Sequence, residues 1–122
     1  MYKGLHANTV RIVAIKEIPI FDASKRHQLQ RELLSLYGNL QPIHDSTANL
    51  TPAACPHLIT LHDAFMQPDR GVLSLVLEYM DGGSLQDIVD TGGCAEESVL
   101  SHIAKDVLLG LHYLHDTLHQ LH

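Results

Sequence analysis

Leu75-Val-Leu-Glu-Tyr-Met-Asp-Gly-Gly-Ser-Leu85 divides a chain of 122 residues into strand-like sequence before it and mainly helical sequence after it. Leu73, Leu75 and Leu77 alternate with Ser74, Val76 and Glu78, a short apolar run that suits a buried strand. Asp81-Gly-Gly83 stops it, because two glycines permit positive φ and a close backbone approach. The chain can turn there and leave the amides and carbonyls just upstream unpaired, and such groups can hydrogen-bond a flat heterocycle. Ser84 follows as the N-cap of a helix over 85–90, with Asp87 where a carboxylate suits the helix dipole. Taken alone, the stretch also fits an ordinary strand-turn-helix joint with no ligand.

Working upstream, Met1 to His6 reads as the end of a strand and Ala7-Asn-Thr9 as the turn that returns it into a strand over 10–18. Period-two geometry puts Ile12, Ala14 and Lys16 on one face and Val13, Ile15 and Glu17 on the other. A lysine on an apolar face must find a negative partner or lose its charge, unless it lies at an edge and snorkels to solvent. Pro19 stops the ladder, and Asp22 or Ser24 can cap a helix over 23–37. Leu29, Leu33 and Leu36 form its apolar stripe, and Glu32 sits at the margin of that stripe, available to a lysine of a neighbouring strand. Lys25, Arg26 and Arg31 fall elsewhere and form a solvated face.

Residues 38–54 read as a loop, with Pro42, Pro52 and Asp45-Ser-Thr47; the sequon Asn49-Leu-Thr51 is expected to be incidental, because Met1-Tyr-Lys-Gly4 opens no apolar signal stretch. Cys55-Pro-His-Leu58 re-enters the fold. Strands over 59–65 and 72–78 then form a hairpin closed by Gln67-Pro-Asp-Arg-Gly71. Beyond the short helix and the break Thr91-Gly-Gly93, a long helix is expected over 96–119, with Val99, Leu100, Ile103, Ala104, Val107, Leu108, Leu111 and Leu114 on a wide apolar face. Little sequence remains to cover that face, so self-association is expected. His112, His115, His119 and His122 share a helical spacing that could bind a metal, although Leu111, Leu114, Leu118 and Leu121 form a competing stripe.

Composition bounds the function. Hydrophobic residues at 45% with 18% charged are an ordinary globular balance. A net charge of −6 with 8 Lys+Arg gives no broad basic surface, which argues against nucleic acid and anionic membrane as main partners. Cys55 and Cys94 form no CxxC or disulfide framework, and no apolar run is long enough to span a bilayer. The expected location is the cytoplasm or the nucleus.

The stretch from Leu77 to Leu85 closely resembles the hinge of protein kinases, in particular of the MAP kinase kinases, and Val13-Ala-Ile-Lys16 matches the kinase strand that carries the phosphate-binding lysine. The resemblance implies an α+β fold: a kinase-like N-lobe of antiparallel sheet plus one helix over 1–80, with 39–54 as an insertion, then the hinge exit and first helices of a truncated C-lobe over 81–122. It implies ATP binding, with Lys16 on the phosphates, Glu32 holding Lys16, Ala14 and Leu77 against adenine, and backbone hydrogen bonds from Glu78 and Met80. Ser84 and Asp87 are expected near the ribose. The parent would phosphorylate a MAP kinase and answer to an upstream kinase; the alternative is a non-catalytic kinase-like interaction module.

Two kinase features are missing from these residues: a Gly-rich phosphate loop, and the catalytic Asp, Asn and Asp-Phe-Gly that hold magnesium. The chain itself is therefore expected to be inactive. His122 looks like the first residue of the catalytic loop. Sequencing the transcript is expected to show Arg-Asp directly after His122, with a Gly-x-Gly-x-x-Gly before Tyr2; an authentic stop codon after His122 would leave only a binding role.

Overall fold

The computed structural model describes residues 1–21, 23–43 and 55–117, and the chain divides into two compact units, Met1–Tyr79 and Met80–His122. The first unit is a four-stranded antiparallel sheet with one helix. Its elements are β1 (Tyr2–His6), β2 (Arg11–Pro19), α1 (Ala23–Tyr37), β3 (Leu61–Gln67) and β4 (Val72–Glu78), with strands in the order β1-β2-β4-β3. Within α1 several side chains, that of Glu32 among them, lie outside the described residues.

The central strand is also the most apolar. β4 is paired on both edges, and Leu73, Ser74, Leu75 and Leu77 are all buried, Leu75 completely. With Ala14 and Leu61 its leucines form the core, and Leu29, Leu33 and Leu36 of α1 pack against it. Each leucine so buried contributes about 2 kcal/mol. Ser74 points away from its leucine neighbours in the pleat, and its hydroxyl accepts a hydrogen bond from Gln67 Nε2 at 2.8 Å.

The strand ends differ from the expected ones for local reasons. Val10 was expected inside the strand, but it closes the preceding turn with φ 55°, and β2 starts at Arg11. A β-branched residue in the left-handed region is strained, and Val10 is also 73% exposed. The first hairpin strand starts at Leu61 rather than residue 59, because the Thr60 carbonyl accepts the Glu78 N–H at 3.0 Å and the pairing shifts register between Leu61 and Asp63. Pro19 pairs with Val72 as the last rung of β2, consistent with its missing N–H.

The hairpin closes through a 3₁₀ turn, Pro68–Arg70, capped by Gly71 at φ 60°. The Gly71 N–H donates to the Pro68 carbonyl and its own carbonyl accepts from Ile20, both at 3.1 Å. Arg70 makes a two-pronged contact with the Glu17 carboxylate, at 2.6 and 3.1 Å.

Asn39, just beyond α1, is 1% exposed and fully engaged. Its Nδ2 donates to the carbonyls of Cys55 (3.1 Å) and Leu58 (2.9 Å), and its Oδ1 accepts the Cys55 N–H at 3.0 Å. One buried side chain thus joins the end of α1 to the segment that leads into β3. Of the expected 39–54 insertion, residues 44–54 lie outside the described residues.

The second unit holds α2 (Leu85–Asp90) and α3 (Glu97–His112), followed by a π-helical turn, Tyr113–Thr117. The long helix expected to reach His119 therefore stops being α-helical at His112; 118–122 lie outside the described residues. Gly110, a weak helix former, stands in its last turn, and His112 Nδ1 lies 3.0 Å from Asp116 in the wider turn. Of the expected apolar face, Leu114 is buried while Leu100, Val107 and Leu108 are exposed.

Replacing Asn39 with leucine leaves the buried Cys55 N–H and Leu58 carbonyl unpaired. The expected loss is about 2–3 kcal/mol, read as a lower urea midpoint by circular dichroism.

Candidate functional site

Opposed residues of an antiparallel pair project to the same face. β2 and β4 pair Ala14 with Leu77 and Lys16 with Leu75, so all four side chains share the face that forms the core. Ala14 and Leu77 are buried, at 8% and 3% exposure, whereas Lys16 is partly buried. A methyl beside a leucine makes a low, flat apolar strip, and Lys16 stands two residues along it. Such a strip can accept a planar base, with a cation about 7 Å along the strand.

Glu78 ends β4 and is tied twice to one residue. Its N–H donates to the Thr60 carbonyl at 3.0 Å, and its Oε1 accepts the Thr60 N–H at 2.8 Å. The carboxylate is therefore structural, and the N–H is already spent. Of the backbone bonds expected from Glu78, the carbonyl alone keeps capacity, since it has two lone pairs. Met80 is exposed, and no hydrogen bond of its backbone is found among the described residues.

In the second unit, Ser84 and Asp87 form a capping box on α2. Asp87 Oδ2 accepts from the Ser84 N–H (2.6 Å) and hydroxyl (2.7 Å), while Ser84 Oγ accepts the Asp87 N–H at 3.3 Å. The Ser84 hydroxyl and then its backbone N–H hold the Asp87 carboxyl below its ordinary value. Gly83 precedes the cap at φ 77°, so the sharp exit after the strand needs a residue without Cβ.

Glu32 lies on α1 beside Leu33, but its side chain is outside the described residues, as is all of His122. Among the described residues no three His, Cys, Asp or Glu side chains gather, and this applies equally to His112 and His115 of the expected metal stripe, whose other members, His119 and His122, lie outside the described residues. A groove of about 350 Å³ lined by Leu33, Leu34, Tyr37, Leu61 and Ala64 includes none of the expected site residues.

Several contacts escaped sequence reasoning, among them Asn39 with Cys55, Thr60 with Glu78, Arg70 with Glu17, and the Lys3 ammonium 4.6 Å from the Tyr79 ring centroid. Each joins residues distant in sequence, and periodicity carries no signal of them.

The chain belongs to the protein kinase domain family, whose profile matches residues 1–122. It is 38% identical over 120 residues to mitogen-activated protein kinase kinase 3 of Arabidopsis thaliana, covering 98% of this chain and 21% of that protein. To mitogen-activated protein kinase kinase 1 of the same plant it is 37% identical over 113 residues, covering 93% of this chain and 30% of the relative. Over a shorter stretch of 68 residues, 56% of this chain and 18% of the relative, it is 47% identical to mitogen-activated protein kinase kinase 2. The matched stretch thus spans 18% to 30% of the length of these relatives. The expected α+β class, the N-lobe type of sheet and the kinship with MAP kinase kinases all stand. No helix among the described residues is long and apolar enough to cross a membrane.

The Asp87 carboxyl is expected to titrate below 3.8 by carbon-detected NMR and to return towards that value in Ser84→Ala. A lowered carboxyl stabilises the cap above its unfolded pKa. Protection of the first amides of α2 is therefore expected to be flat above pH 3.8 and to fall as the pH drops through the lowered Asp87 value.

Proposed function

We propose that this chain is the nucleotide-binding part of a MAP-kinase-kinase-like protein kinase, with ATP lying along the Ala14–Leu77 strip. The observation that carries this reading is the β2–β4 register, which sets Ala14 opposite Leu77 and Lys16 opposite Leu75 on one face. Adenine packs on Ala14 and Leu77, the Glu78 carbonyl accepts its amino N–H, and the Met80 N–H donates to a ring nitrogen. Lys16 neutralises phosphate charge, with Glu32 holding the ammonium in place. The kinase resemblance assigns Ser84 and Asp87 to the ribose.

When bound, ATP supplies the phosphoryl group; these residues bind and orient it. The parent kinase passes that group to a hydroxyl side chain of a MAP kinase and is itself switched by an upstream kinase, in the cytoplasm or the nucleus. Phosphoryl transfer also needs a base and magnesium ligands, which the kinase motifs matched here do not include. The chain's uncovered helical leucines promote self-association.

The test is an NMR titration of the labelled chain with adenosine and with ATP. Weak binding is expected, with shifts at Ala14, Leu77 and Met80, and with magnesium giving no improvement. ATP is expected to bind more tightly than adenosine, and Lys16→Met to abolish the difference. Shifts confined to the Leu33–Tyr37 groove, or none near saturation, would overturn the reading.

A further inference from the structure

Lys3 of β1 is paired with Ala14, and Ala14 with Leu77, so the three stand in one row across β1, β2 and β4 on a common face. From that row the Lys3 ammonium reaches over the Tyr79 ring, 4.6 Å from its centroid, within the range where a cation is drawn to the negative ring face. Tyr79 directly follows Glu78, the last residue of β4, and has no rung of the ladder to fix it. The ring therefore gives β1 a hold on the backbone just beyond the sheet. Tyr79 is 39% exposed.

Direction along β4 separates the two lysines. Lys16 is opposite Leu75, two residues before Leu77, and Lys3 reaches Tyr79, two residues after it. They mark opposite ends of a strip about 13 Å long, four residues of strand. One end carries the cation assigned to phosphate. At the other end the cation is occupied by an aromatic ring, so it is spent on structure.

We propose that Lys3 is a positioning residue for nucleotide binding: by gripping the Tyr79 ring it fixes the peptide after Glu78, whose carbonyl receives adenine. This rests on the nucleotide reading above and extends it to a residue outside the kinase motifs quoted for it. Lys3 touches no nucleotide in this scheme and acts only through Tyr79.

Two measurements on the 122-residue chain test it. In the first, without nucleotide, the ε-methylene protons of Lys3 are expected upfield of a free lysine in the unaltered chain and in Tyr79→Phe, and at the free position in Tyr79→Leu. The second is adenosine affinity by NMR titration. Lys3→Met and Tyr79→Leu are each expected to weaken it about two- to five-fold, the double variant no further, and Lys3→Arg to restore it, because a guanidinium also stacks on a ring. A structural role alone would not give this rescue with unchanged circular dichroism. An unshifted Lys3 methylene, or Lys3→Met binding adenosine like the unaltered chain, would overturn the proposal. Failure of the unaltered chain to bind adenosine would overturn the nucleotide reading first, and is distinguished because it appears before any substitution.

Discussion

The register between β2 and β4 is the constraint on which the rest of the first unit depends. A slip of one residue would send every side chain of β2 to the opposite face, turning Lys16 and Ala14 away from the core and bringing Glu17 into it. Three features prevent that slip. Leu75 is completely buried, so any other residue in its place must fill the same space. Pro19 ends the ladder against Val72, and at the other end Glu78 is pinned twice to Thr60. The same glutamate therefore closes the sheet and limits which of its own backbone groups can meet a ligand.

A second constraint lies where the chain leaves the sheet. Asn39 and Cys55 are joined at 3.0 Å although sixteen positions separate them. Closing a loop costs entropy that grows only slowly with length, so once its ends are tied the connection can vary with little effect on the fold. Asn39 supplies that tie with its side chain, and its backbone N–H also donates to the Leu36 carbonyl at the end of α1. The helix that carries Glu32 and the segment that leads into β3 are thus referred to one buried amide.

What was legible in the sequence follows from period. The alternation from Leu73 to Glu78, the Leu29-Leu33-Leu36 stripe, the Pro68 to Gly71 turn and the Ser84 cap are all local patterns, and each names its own element. The range of α1 was read to the residue, Ala23–Tyr37. Val10 was misplaced because β propensity favours valine in a strand, while closing the turn required a left-handed residue at that position. Period also names the face of Lys16 but not its opposite number, Leu75. For the same reason the clasps of Asn39, Thr60 and Lys3 were out of reach, since each depends on which distant residue lies alongside.

Burial explains why Lys16 and Glu32 should belong together in the nucleotide reading. The register commits Lys16 to the face on which α1 packs, where a charge without a counter-charge is costly. On a helix, residues three and four apart are neighbours. Glu32 follows Leu29 by three positions and precedes Leu36 by four, and both leucines pack on the core that the sheet presents. The helix backbone therefore carries an acidic residue along the same stripe that anchors it to the strands. In the nucleotide reading, packing and charge are thus coupled through one helix. In that reading a nucleotide phosphate would approach a lysine whose face is fixed by the β2–β4 register.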